Sequence, residues 1–200
     1  MDKNEYEKVS GLTYREYCAY LRDKYGLSPC PYMSKLWYRN SKCSRTKDGL
    51  ICHHVFEDHA IMLSTPVYAQ QNPYTWQLPE NLVYCDYLEH LLLHIMICEN
   101  PPADKNPFEA VGVGGVLNFI VPELNDYYSG FRSNQPWRQR CYDQVKDDIE
   151  TYFLLLKRFK RTCNELPQFE KKCLYTSFNE DFGYWSRRKN RKLFRKIARL

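Results

Sequence analysis

The sequence predicts an α+β fold that is mostly helical, with a small core of two strands and a helix embedded in one α-rich domain. Three observations point there. Apolar residues in the second half recur at helical spacing, as in Val145, Ile149, Tyr152, Phe153, Leu156 and Phe159. Two short runs, 50–56 and 82–85, have strand character, and the second leads straight into a helical stretch. Finally, 200 residues with 44% hydrophobic and 26% charged content suit a globular chain able to bury one sizeable core. The expected division is an N-terminal helical segment (1–47), the strand–strand–helix module (48–98), a helical half (99–186) and a basic tail (187–200).

In chain order, the first helix is expected over 12–24. Thr13 and Glu16 have the spacing of a capping box, and Gly26 is a natural terminator. Pro29 and Pro31 break the chain, and 33–39 is a short aromatic segment of open type. Asp48-Gly49 signals a turn into the first strand. Residues 60–63 form another apolar run. Ser64 or Thr65, with Pro66 behind it, can start a short helix reaching Gln71. The strand at 82–85 ends at Asp86, which with Glu89 forms the N-terminal signature of a helix running to about Cys98. Asn100-Pro101-Pro102 stops that helix.

In the second half, helices are expected over 116–128, kinked at Pro122, and over 142–163. Gly112-Val-Gly-Gly115 reads as a helix-start turn, since it lacks the Lys-Ser/Thr of a phosphate loop. The stretch 169–184 is aromatic and unassigned. The tail is helical if Leu193, Phe194, Ile197 and Leu200 share a side.

Charge is distributed unevenly. The tail carries Arg187, Arg188, Lys189, Arg191, Lys192, Arg195, Lys196 and Arg199 with no acid; removing those eight from a total of +5 leaves the first 186 residues at −3. A basic helix following Tyr184 and Trp185 suits contact with nucleic-acid phosphates. Arg45 and Lys47, just upstream of the first strand, are further candidates for such contact. No apolar run approaches the ~20 residues of a membrane span, and the N-terminus lacks the order of a secretory signal. A cytoplasmic chain with no membrane partner is the expectation. The nine cysteines are odd in number, scattered and without a Cys-x-x-Cys pair, which reads as reduced, mostly buried thiols.

Chemistry concentrates between residues 49 and 97, which hold all five histidines: His53, His54, His59, His90 and His94. His90 and His94, four apart on a helix, share one face. Neighbours on a strand face opposite sides. His53 and His54 can therefore share a site only where the strand ends irregularly or an ion sits at its edge. His59 is expected to have no catalytic role. Glu57 and Asp58 are read as solvated charges, with Glu57 also a candidate partner of a ligating histidine.

The order His53-His54, Asn81, His90, His94 resembles the HNH endonuclease family, and the Asn-x8-His-x3-His spacing is most similar to the colicin-type DNases. The resemblance covers residues 48–98, about a quarter of the chain. It implies a ββα-metal core in which His53, His90 and His94 bind one divalent ion and His54 is the general base. Asn81 would hold the hairpin loop and orient that base. It also implies phosphodiester hydrolysis, with DNA the expected substrate. Three imidazoles favour Zn²⁺, Ni²⁺, Co²⁺ or Mn²⁺ over Mg²⁺ on affinity; the metal (Mg, Mn, Ni or Zn) stays open.

Two features depart from the family pattern. The gap from Val55 to Glu80 is 26 residues, long enough for a lid or a protein-binding insertion. Cys85 stands alone, and Glu89 takes the place where zinc-stapled relatives carry a cysteine. The competing reading is a non-catalytic nucleic-acid- or protein-binding protein on the same scaffold, such as a phage or mobile-element inhibitor.

Overall fold

Thr13 and Asp86 begin the two helices that frame the β pair. Each accepts the N–H of a glutamate three residues on, and that glutamate's carboxylate returns to the cap's own N–H. The computed structural model describes residues 1–163, 171–177 and 187–200. Helix α1 (Lys3–Val9), capped by Asp2, precedes α2 (Tyr14–Tyr25), which ends at Gly26 with φ 80°. Strands β1 (Ile51–His54) and β2 (Leu82–Cys85) pair antiparallel, His53 opposite Val83 and His54 opposite Leu82. Between them lies the short α3 (Pro66–Ala69).

Helix α4 (Tyr87–Glu99) is the axis of the molecule. Leu88, Leu91, Leu92, Leu93, Ile95 and Ile97 are all buried, as expected of a helix that is apolar on every side. It packs against α2, the β pair, α8 (Ile149–Cys163) and the glycine-led segment from residue 112. That segment starts as α5 (Val113–Gly115), widens into a π-turn (Val116–Ile120) and continues as α6 (Val121–Tyr128). Pro122 has no N–H to give the preceding turn, and the wider turn in front of it absorbs the missing bond.

Two expected elements are corrected, and one left open is resolved. The first strand stops at His54 rather than residue 56, because the chain folds into a 3₁₀ turn over Val55–Asp58. The helix expected over 142–163 is two: α7 (Pro136–Asp143) and α8, with the carbonyl of Asp148 taking the Tyr152 N–H to restart the helix. Aspartate favours such a cap over a helix interior, so the acidic pair Asp147-Asp148 divides the periodic run. The segment 33–39 is a loop closed by a single bridge between Met33 and Arg39.

The basic tail forms α9 (Arg187–Ala198), with Leu193 and Ile197 buried against the core. The aromatic stretch 169–184 and the pair Tyr184-Trp185 lie mostly or wholly outside the described residues, as do the side chains of Arg187 and Lys189. Among the described residues, no helix is long and apolar enough to cross a membrane.

Candidate metal centre

The 3₁₀ turn after β1 reverses the chain so that residue 57 returns under residues 53 and 54. Glu57 Oε2 then lies 3.4 Å from His53 Nδ1 and 3.3 Å from His94 Nε2. His94 Nε2 is 3.1 Å from His90 Nε2, one helical turn away on α4. Donor atoms of His53, Glu57, His90 and His94 all lie within 4.8 Å of one another. A tetrahedral ion with ligands about 2.0–2.1 Å away sets its donors about 3.3–3.4 Å apart, close to these separations.

Hydrogen bonds fix which ring nitrogens face inward. The Tyr14 hydroxyl has one proton and two neighbours, the Val55 carbonyl at 2.9 Å and His53 Nε2 at 2.9 Å. A carbonyl only accepts, so Tyr14 donates to Val55 and His53 Nε2–H donates to Tyr14. The His53 Nδ1 lone pair is left pointing at Glu57 without a hydrogen-bond partner. His54 repeats the arrangement. The Gln77 amide nitrogen donates to the Leu63 carbonyl, so its oxygen faces His54 Nε2 at 3.2 Å and accepts from it. His54 Nδ1, also unpartnered, turns its lone pair toward Glu57 Oε1 at 3.7 Å.

The nitrogens of His53 and His54 that face Glu57 are therefore acceptors, while between His90 and His94 one Nε2 donates to the other in the metal-free chain. Burial pushes the His53 imidazole down to about 3, and holds His90 well below its usual range, helped by His94 and His53. Burial would also favour a protonated Glu57, but the imidazoles around it, His53 foremost, hold it as a carboxylate. These two tendencies describe one requirement. A carboxylate buried among imidazoles needs positive charge beside it, and desolvation keeps that charge off the rings. A divalent cation supplies the charge without protonating any ring, so the donor set fits a metal.

Of the expected residues, the structure brings together His53, His90 and His94. His54 does not join them: it is fully buried between Gln77 and the Tyr32 ring, 4.6 Å away, because strand alternation turns it from His53. Asn81 donates to the Thr75 carbonyl at 2.8 Å within the connecting loop, and the residue hydrogen-bonded to His54 is Gln77. Glu57 and Asp58 are not solvated. Glu57 is a member of the cluster, and buried Asp58 pairs with Arg15 and His59. His59 stays outside the cluster, bonded to Asp58.

Glu57 left one mark in the sequence: His53-x3-Glu57 repeats the spacing of His90-x3-His94. Tyr14, Gln77 and Gly115 left none. Gly115 is needed because a Cβ there would lie 2.3 Å from His94 Cε1, so the glycine-led turn doubles as the seat of the His94 ring.

The centre opens into a cleft of about 460 Å³ lined by Glu57, His90, His94, Tyr68, Asn118 and Phe119. A second cleft of about 420 Å³, with Tyr32, Arg39, Arg45 and Trp137, adjoins it through shared walls at Cys52, Ser64, His90, Phe119 and Ile120. Together they form a trough with His90 at its middle. Phe119 and Trp137 are 49% and 41% exposed along it.

Of the expected phosphate contacts, Arg45 is engaged within the fold by Asp48, the Tyr25 carbonyl and the Tyr84 ring, while Lys47 is exposed. Arg188, Arg191, Lys192 and Arg195 line one groove along α9 with Lys196 and Arg199. No family model, curated protein or solved structure matches the chain.

Proposed function

We propose that this chain is a metal-dependent phosphodiester hydrolase of HNH-like type, an endonuclease acting on nucleic acid, with DNA the expected substrate. The observation that carries the reading is the convergence of imidazole nitrogens and one carboxylate, drawn from β1, the turn after it and α4, at the middle of an open trough. The element order β1–β2–α4 is the order that the resemblance implies. A centre placed midway along a trough leaves substrate room on both sides of the cleaved bond, which favours internal cleavage over trimming from an end.

When bound, a divalent ion eases deprotonation of water and relieves charge on phosphoryl oxygens. The chain's own residues do the rest. His53, His90 and His94 hold the centre, and Tyr14 fixes the ring of His53. Glu57, at the cleft wall, is placed to accept a proton from water, with His54 Nδ1 behind its second oxygen as the next acceptor. In this reading His54 keeps a role in proton transfer, exercised through Glu57. The basic groove of α9 adds sequence-blind attraction for the phosphate backbone.

A second reading has its own support. If Glu57 completes a four-ligand shell, the site is closed and structural, and the scaffold serves binding alone. A plasmid-nicking assay with Mg²⁺, Mn²⁺, Ni²⁺ and Zn²⁺ in turn, on wild type and His94→Ala, separates them. Nicking that requires His94 supports the hydrolase. Tight metal uptake with no nicking under any ion, alongside retained DNA binding, overturns it in favour of the binding protein.

A further inference from the structure

We propose that Cys30 and Cys43 form a dithiol site that is oxidised to a disulfide by low-molecular-weight disulfides, fixing one wall of the trough. Their sulfurs lie 3.0 Å apart with both thiols free. A disulfide bond is about 2.05 Å long, so about 1 Å of approach closes it. The two residues bracket the base of the loop 31–42. That loop carries Tyr32, whose ring rests on His54, and Arg39, whose guanidinium lies over the Tyr32 ring at the edge of the trough. Its internal bonds, Ser34 N–H to the Tyr38 carbonyl and Asn40 N–H to the Tyr32 carbonyl, already hold it in the shape a cross-link would lock.

The two thiols differ in a way that orders the chemistry. Cys30 is half-buried and open to an incoming reagent. Cys43 is buried, with its sulfur 3.1 Å from the Cys30 carbonyl and 3.0 Å from that of Pro31. Burial, with Cys30 beside it, pushes the Cys43 thiol up to about 11, which suits a resolving rather than an attacking role. With glutathione disulfide as oxidant, the Cys30 thiolate attacks one sulfur, forms a mixed disulfide and releases one glutathione thiolate. Cys43 gives its proton to solvent, attacks the Cys30 sulfur and releases the second glutathione. Two protein thiols lose two electrons and the oxidant gains them. The neighbouring Cys52 is half-buried like Cys30, but burial of its thiol pushes it well above the usual range, and among the described residues it has no thiol partner at the distance of Cys43 from Cys30.

The test is independent of the metal reading. The folded, full-length chain is equilibrated in glutathione buffers of graded ratio, alkylated and mapped by peptide mass spectrometry. Cys30–Cys43 is expected as the first cross-link, with Cys52, Cys98 and Cys163 still alkylated. Cleavage of the 31–42 loop by added protease should slow severalfold on oxidation. In Cys43→Ser, glutathione should remain on Cys30; in Cys30→Ser, Cys43 should stay unmodified. Another pair cross-linking first, or a glutathione adduct persisting on Cys30 in the wild type, would overturn the proposal. The wild-type map decides alone if either variant fails to fold.

Discussion

Residue 115 is glycine because the imidazole of His94 occupies the space its side chain would need. A Cβ there would meet His94 Cε1 at 2.3 Å and Nδ1 at 2.4 Å. The backbone of Gly115 is ordinary right-handed helix, φ −60° and ψ −45°, so alanine brings no strain of its own and even favours the helix. Gly115→Ala should therefore act through the ring alone. The expected result is about a 10- to 100-fold loss in Zn²⁺ affinity, the scale of a displaced ligand support, with helical content unchanged. Titration against a competing chelator, beside circular dichroism, checks it; unchanged affinity would remove His94 from the site.

Tyr14→Phe tests the tautomer argument. Without the hydroxyl, His53 Nε2–H loses its acceptor and the Val55 carbonyl its donor. Metal affinity should fall about tenfold or more, while stability drops by only about 1–2 kcal/mol. A variant that loses stability but binds metal as wild type would show that the Tyr14 bond is structural only.

Glu57→Gln separates the ion from the fold. In the metal-free chain the surrounding imidazoles, His53 foremost, hold Glu57 as a carboxylate, so the fold favours the charge and a neutral amide forgoes that stabilisation. With chelator present, Glu57→Gln should unfold at a lower temperature than wild type. With Zn²⁺ present the gap should widen, because the variant also binds the ion less tightly. A variant that matches wild type under both conditions would show that neither the imidazoles nor an ion draws on the Glu57 charge.

A pH dependence follows from Glu89, which faces Lys24 and Tyr25 on α2 and the carboxylate of Asp86. Burial, together with Asp86, raises it from 4.5 to about 7 against the pull of Lys24. The folded chain thus binds this proton more tightly than the unfolded one. The contribution to stability is complete below pH 4.5 and is lost as pH rises to about 7. Glutamine keeps the capping-box geometry but does not titrate. Between pH 5 and 8, Glu89→Gln should lose less stability than wild type, by on the order of 2 kcal/mol. Parallel urea midpoints for the two proteins across that range would show instead that Glu89 is ionised throughout.

What the sequence reveals here, and what it hides, has a physical pattern. The helices at 12–24 and 86–98 are legible because capping and periodicity are local, and the structure reproduces both capping boxes. His90 and His94 could be paired because their spacing puts them on one face of any helix; His53 joins them only through the resemblance. The place of Glu57 depends on the chain leaving extended geometry at Val55, a turn with no glycine or proline to announce it. Gln77 and Tyr14 are hidden for another reason: their partners are 23 and 39 residues away, and only the packed fold brings them together. The glycines at 112–115 were readable as a turn, but their closeness to α4 was not, since a missing side chain leaves no pattern of its own.

The basic tail yields the last prediction, and the structure changes how it must be tested. Deleting residues 187–200 would strip Leu193 and Ile197 from the core, where they are 5% and 0% exposed, and any lost DNA binding could then reflect unfolding. Arg191, Lys192 and Arg195 lie on the opposite, solvent side of α9 and line its basic groove. Replacing these three by serine keeps the apolar side of the helix intact. If each contacts one phosphate, affinity for duplex DNA should fall and the slope of log affinity against log salt should flatten by about 2–3 units. Thermal unfolding should stay close to wild type, because exposed charges of one sign contribute little to the fold. Fluorescence anisotropy at several salt concentrations measures the slope. An unchanged slope would place the phosphate contacts elsewhere, with the exposed guanidinium of Arg39, over the Tyr32 ring at the trough, the next cation to replace.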